Sequence, residues 1–238
     1  MGISFVLFDL DDTLYPAGAG LTQEIEGRMT RYVAEHLGMS YAAADALRRQ
    51  YYEYYGSSIR GLFMHHALTI DPSDYLAFVH DLPVENYLSR NADLARWLEC
   101  IRAKKAIFTN APADYAERVL TALGVRNQFA HIFDIGFCRY FGKPNPLAYV
   151  RVQQALHARA DQLLMIDHRA ANLAPARQLQ WRTVWVRGDP SLQNGKADYT
   201  VDNLGQATQV FYELGVMDEK HRAIAQNQLA SWAWAQRA

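Results

Sequence analysis

Two aspartates, Asp9 and Asp11, stand one residue apart after a short apolar run, within Asp9-Leu10-Asp11-Asp12-Thr13-Leu14-Tyr15. In an extended segment alternate side chains share a face, so the two carboxylates point the same way. Crowded carboxylates are costly unless a cation or phosphate chemistry needs them. One carboxylate can attack phosphorus and form an acyl-phosphate while its neighbour gives and takes protons. The competing reading is an acidic helix cap, since Asp and Thr favour helix starts. Thr109 and Asn110 follow a second apolar run, just ahead of a helix-like stretch. Free backbone N–H groups and the helix dipole favour anions there, although a simple cap explains the same residues. Lys143 lies in Phe141-Gly142-Lys143-Pro144-Asn145-Pro146. Gly and Pro stiffen that loop, which either holds the ammonium against a phosphoryl group or leaves a solvated lysine. Asp167 closes a further apolar run, and His168 follows it.

The elements that must position these groups are legible as a rhythm. The run at 3–8 is almost continuously apolar and stops at acids, as a strand buried on both faces of a parallel sheet does. Similar runs occur at 106–109, 163–167 and 183–186, separated by helix-like stretches at 113–123, 146–156 and 170–179. In the first of these, Tyr115, Val119, Leu120 and Leu123 keep helical spacing, and Gly124 ends it. Strands alternating with helices predict an α/β, doubly wound (Rossmann-like) parallel sheet. Residues 21 to 90 break the rhythm and read as consecutive helices at 21–37, 41–55, 57–67 and 72–80, with Asp71-Pro72 opening the last. The expected organisation is an α/β core over 1–18 and 91–215, an inserted all-helical cap over 19–90, and a helical tail over 216–238. An insert leaving the carboxyl end of the first strand sits over the place where such sheets bind ligands.

Composition narrows the classes. The chain has 238 residues, half of them apolar and 21% charged, which excludes a disordered composition. Twenty-four Lys and Arg against 25 Asp and Glu give a net charge of -1, so no global field favours nucleic acid or an anionic membrane. Cys100 and Cys138 are too few for a disulfide framework and read as small buried residues. The apolar start is too short to span a bilayer and runs straight into acids, unlike a signal peptide. A soluble cytoplasmic protein is expected.

The order and context of Asp9, Asp11, Thr109, Lys143 and Asp167 resemble the four motifs of the haloacid dehalogenase superfamily, in its phosphatase branch, over about residues 3–205. The resemblance implies Asp9 as nucleophile, Asp11 as general acid/base, and Thr109 as a phosphoryl ligand. Lys143 then offsets charge, and Asp167 belongs to the metal-binding motif. The closer resemblance is to the pyrimidine 5′-nucleotidase group with a helical cap, carried by the segments 54–62, 75–80, 108–111 and 172–177. The implied substrate is a small phosphate ester, with a nucleoside monophosphate as first guess. The implied cofactor is Mg²⁺, shared by Asp9, Asp11 and Asp167. Dehalogenases of the superfamily lack the second acid, so Asp11 argues for phosphate chemistry.

One departure stands out. Relatives carry two adjacent acids in the fourth motif, and here the pair is Asp167-His168. Mg²⁺ prefers oxygen ligands, whereas imidazole suits softer divalent ions. Three outcomes stay open: metal binding weakened, a metal site shifted toward Mn²⁺ or softer ions with His168 as ligand, or a phosphate-binding relative with weak or no turnover. Asn110 joins Thr109 and Lys143 as an expected phosphoryl ligand. Arg60 reads either as a contact to a base or ribose, or as a solvated helix arginine. His65 and His66 are adjacent and lack helical metal spacing. The cluster Tyr51, Tyr52, Tyr54 and Tyr55 reads as helix packing, with base stacking as the alternative. Ala225, Leu229 and Trp232 share one face, which packs on the core or forms a homodimer contact.

Overall fold

The computed structural model describes residues 2–187 and 196–229. Six strands form one parallel sheet: β1 (Phe5–Phe8), β2 (Lys104–Phe108), β3 (Phe129–Phe133), β4 (Leu163–Asp167), β5 (Arg182–Val186) and β6 (Tyr199–Val201). Their order is β3-β2-β1-β4-β5-β6. The sheet thus winds outward both ways from β1, the arrangement that leaves a crevice beyond the carboxyl ends of its central strands. β1 pairs in register with β2 (Phe8 beside Ile107) and with β4 (Phe8 beside Ile166).

The continuous apolar runs have a simple cause, because alternate residues feed two cores. Val6, Phe8, Ile107, Leu164 and Ile166 pack on one face, and Leu7, Ala106, Phe108, Leu163 and Met165 on the other. Phe8 meets Trp97, Phe129 and Phe211 edge-on, and the Trp97 indole N–H donates to Thr208 Oγ1 (2.9 Å).

Between β1 and β2 the chain forms α1 (Leu21–Leu37), α2 (Tyr41–Tyr55), α3 (Ser58–His66), α4 (Pro72–His80) and α5 (Ala92–Glu99). Glycines in the left-handed region end α1 at Gly38 and α2 at Gly56, while the Asp71 carboxylate caps α4 by accepting from the Ser73 and Asp74 amides. The remaining helices are α6 (Ala113–Leu123), α7 (Pro146–Ala155), α8 (Ala170–Gln178), α9 (Ala207–Glu213) and α10 (Glu219–Leu229).

The expected helices agree with these spans to within about two residues, and the four expected strands are present. The strands β3 and β6 and the helices α5 and α9 are additions. In the expected tail, Ala225 of α10 is buried in the core. The Leu229 side chain and Trp232 lie outside the described residues. Among the described residues no helix is long and apolar enough to cross a membrane.

Candidate active site

Asp9, Thr109 and Asp167 stand at the carboxyl ends of three neighbouring strands, β1, β2 and β4. Lys143 reaches them from the loop before α7, and its buried ammonium donates to Asp9 Oδ1 (2.7 Å) and Asp167 Oδ2 (2.8 Å). The second Asp9 oxygen accepts from the Thr13 hydroxyl (2.8 Å) and lies 2.8 Å from His168 Nδ1. Asp167 is fixed from behind by the Arg169 amide (2.7 Å) and by the Asn172 side chain (2.9 and 3.1 Å).

The charges follow from these contacts. Burial alone would raise the pKa of Asp9, but Lys143 and His168 outweigh it and hold the carboxyl well below the usual range. Burial likewise opposes the charge on Lys143, and the two aspartates outweigh it in turn, so its pKa rises. His168 loses some basicity to burial and regains more from Asp9 and Asp167, which brings it to about 8. Asp9 therefore sits as a carboxylate between two cations.

Asp11 is built differently. Its Oδ1 accepts from the hydroxyls of Tyr15 and Tyr115, the latter at 2.8 Å. Burial pushes its pKa to about 6, with the two hydroxyls opposing the rise and the Asp9 charge adding to it. Two carboxyls from one strand end thus have different proton affinities, a difference that can separate a nucleophile from an acid/base.

A cavity of about 210 Å³ opens over these groups. Asp9, Asp11, Thr109, Asn110, Lys143 and His168 all line it, so six of the expected residues converge. Thr109 is buried, and its hydroxyl accepts from the Ala111 amide (3.0 Å) ahead of α6.

Two expected substrate contacts have partners within the protein. The Asn110 side chain was expected to bind substrate, but its amide is committed to the backbone of Lys143. Its Nδ2 donates to the Lys143 carbonyl (2.8 Å), and its Oδ1 accepts from the Lys143 amide (2.7 Å). Asn110 therefore acts by locking the lysine loop. For Arg60 the two readings were a substrate contact and a solvated helix arginine; its guanidinium lies over the Phe141 ring (4.6 Å), and Arg60 is not among the residues that line the cavity. The arginines that do are Arg48 of α2 and Arg169, which stacks on Tyr52 (4.0 Å) and donates to the Gly56 carbonyl (3.2 Å). His65 and His66 pair with the hydroxyls of Tyr55 and Tyr51 (2.6 and 2.9 Å), which accounts for two of the four clustered tyrosines. Sequence reading missed Thr13, Tyr15, Tyr115, Arg169 and Asn172 as parts of the site. Thr13 and Tyr15 carried a signal as the fourth residues after Asp9 and Asp11, and Asn172 lies in the segment 172–177 that carried the nucleotidase resemblance.

Asp9, Asp167 and His168 form the one group among the described residues whose ligand atoms, all within 4.8 Å of one another, could hold a metal ion. The Asp11 carboxyl is not part of it. His168 Nδ1 lies 2.8 Å from Asp9 Oδ2 and 3.8 Å from Asp167 Oδ1. Two carboxylates and an imidazole fit a divalent ion that accepts nitrogen, and fit Mg²⁺ less well.

Comparison with known proteins accords with this geometry. The haloacid dehalogenase-like hydrolase family matches residues 3–180. Phosphate metabolism protein 8 of Saccharomyces cerevisiae is 28% identical over 188 residues. Those residues cover 71% of this chain and 57% of the yeast protein, so the chain spans little more than half of that relative. Among solved structures, a HAD phosphatase from Thermococcus onnurineus superposes with a TM-score of 0.61 at 19% identity, covering 91% of this chain and 99% of that one. An L-2-haloacid dehalogenase from Xanthobacter autotrophicus superposes with a TM-score of 0.55 at 16% identity, covering 89% and 98%. At these identities both establish the fold alone. A family match over three quarters of the sequence, on a sheet that gathers its acids at one crevice, makes this chain a member of the haloacid dehalogenase-like hydrolase family.

Proposed function

We propose that the protein hydrolyses small phosphate monoesters through an aspartyl-phosphate, with a nucleoside monophosphate as the first substrate to test. The observation that carries this reading is the pairing of Asp9, held ionised by Lys143, with Asp11, whose pKa is raised to about 6 in the same cavity. An Asp9 oxygen attacks phosphorus in line as the bond to the leaving oxygen breaks. Asp11 gives its proton to that oxygen and later takes one from the water that cleaves the acyl-phosphate, which releases phosphate and restores both carboxyls. Thr109 and the Lys143 ammonium receive the phosphoryl oxygens. Helices α1–α4 act as the cap over 19–90, excluding water and selecting the alcohol.

Asp9, Asp167 and His168 would hold a divalent cation, which supplies charge neutralisation when bound. Mg²⁺ is the expectation from the family, and Mn²⁺ or a softer ion from the donor set. A second reading, a phosphate-binding protein with little turnover, is favoured by one observation: both oxygens of Asp9 are already engaged, by Lys143 and by Thr13 and His168.

The test is a phosphate-ester panel run with Mg²⁺, Mn²⁺, Co²⁺ and Zn²⁺ on the wild type, Asp9→Asn and His168→Asp, beside calorimetric metal binding. Turnover abolished by Asp9→Asn is expected, with His168→Asp shifting metal preference toward Mg²⁺. A wild type inactive with every metal but rescued by His168→Asp would establish the binding protein instead.

A further inference from the structure

The cap side of the cavity is walled by Ile25 and Met29 of α1, Arg48 and Tyr52 of α2, and Tyr75 and Leu76 of α4. Among the described residues, three buried side-chain polar atoms have no hydrogen-bond partner: Tyr75 Oη, Asn172 Oδ1 and Arg222 Nε. Asn172 still donates to Asp167 through its other amide atom, and Arg222 bonds through its terminal nitrogens on α10. Only in Tyr75 is the whole polar group unpaired, and only 1% of that residue is exposed.

A phenylalanine would fill the same space. The Tyr75 ring packs edge-on against Tyr32 (5.2 Å), a contact that needs no hydroxyl. An unmade hydrogen bond in a buried place lowers stability, so the hydroxyl gains from a partner that enters the cavity. The cavity wall also indicates the charge of that partner. Arg48, the cation nearest in kind, is already held by Thr30 Oγ1 (3.2 Å), Asp45 (3.2 Å) and Glu26 (3.7 Å). Arg169, the other arginine of the lining, is stacked on Tyr52 (4.0 Å) and donates to the Gly56 carbonyl (3.2 Å), and Asp12 adds negative charge. A second anionic group is disfavoured there, and a neutral oxygen is matched.

We propose that Tyr75 is the specificity residue for the alcohol part of the ester, its hydroxyl hydrogen-bonding a neutral hydroxyl or carbonyl oxygen of the leaving group. This rests on reading the cavity as a phosphate-ester site. It selects polyhydroxylated or nucleoside phosphates over simple aryl phosphates.

The test compares wild type and Tyr75→Phe on a nucleoside 5′-monophosphate, ribose 5-phosphate and phenyl phosphate. Inhibition by inorganic phosphate and the thermal midpoint are measured alongside. Tyr75→Phe should raise KM for an oxygen-bearing ester about five- to twenty-fold, the effect of roughly one neutral hydrogen bond, with kcat within about twofold. KM for phenyl phosphate and inhibition by phosphate should not change, and the thermal midpoint should hold or rise. Equal effects on all esters, no effect on any, or a lowered midpoint would overturn the proposal. A wild type that hydrolyses none of the three fails the reading of the site as a phosphatase and not this one. Calorimetric binding of ribose 5-phosphate and of inorganic phosphate then decides: a selective loss of the sugar ester in Tyr75→Phe upholds the proposal, and unchanged or parallel affinities refute it.

Discussion

His80 makes part of the pH dependence of stability calculable. The side chain ends α4, 4% exposed, with Nδ1 beside the Leu76 carbonyl (2.9 Å) and its ring 4.8 Å from that of Tyr115. Burial pushes its pKa from 6.5 down to about 4, and the bond to Leu76 offsets only part of the fall. The folded protein keeps the ring neutral at pH 5, where the unfolded chain protonates it. The unfolded state then binds more protons, so this contribution is complete above pH 6.5 and is lost as pH falls toward 4. At about 1.36 kcal/mol per pH unit, the loss reaches about 2 kcal/mol at pH 5 and approaches about 3 kcal/mol below pH 4. Asp114, Arg118 and Arg28 act on the ring from neighbouring elements and are present in both proteins of the comparison. The assay is urea unfolding of wild type and His80→Asn at several values between pH 7 and pH 5. Asn keeps an N–H for Leu76 and does not titrate. The wild type should lose about 2 kcal/mol more than the variant across that range. Parallel losses in the two proteins would refute the reasoning.

Two further perturbations address the site directly. Lys143→Met leaves the buried carboxylates of Asp9 and Asp167 without their shared cation, so it should abolish turnover and cost about 3–5 kcal/mol in urea unfolding, with Asp167→Asn on top restoring part of the stability. Asn110→Ala removes both bonds that lock the Lys143 backbone, and should lower kcat/KM up to about a hundredfold through a misplaced ammonium while the far-ultraviolet circular dichroism stays that of the wild type.

What the sequence displayed was residue type at strand ends and punctuation around helices. Asp9, Thr109 and Asp167 were findable because a polar residue that stops a buried apolar run must lie at the rim of the sheet. The ends of α1, α2 and α4 were findable because Gly38, Gly56 and Asp71-Pro72 act through local backbone physics. The strands β3 and β6 lie at the two edges of the sheet. There one side has no neighbour, so Phe129–Phe133 carries exposed Ala130 and His131 and lacks a continuous apolar signature. Side-chain direction was illegible for a different reason. Asn110 and Arg60 have the chemistry of phosphate ligands, yet one amide is taken by a loop backbone and one guanidinium by Phe141, and both partners are distant in sequence. His168 is the sharpest case. The family resemblance implied an acid at this position, and the chain carries an imidazole there. The fold adds that Thr13, four residues after Asp9, sets its place: the Thr13 hydroxyl accepts from the His168 amide (3.2 Å) while donating to Asp9. The same threonine thus fixes both Asp9 and His168. Exchanging histidine for an acid there changes a charge without moving the backbone that presents it, which is why His168→Asp is a clean probe of metal preference.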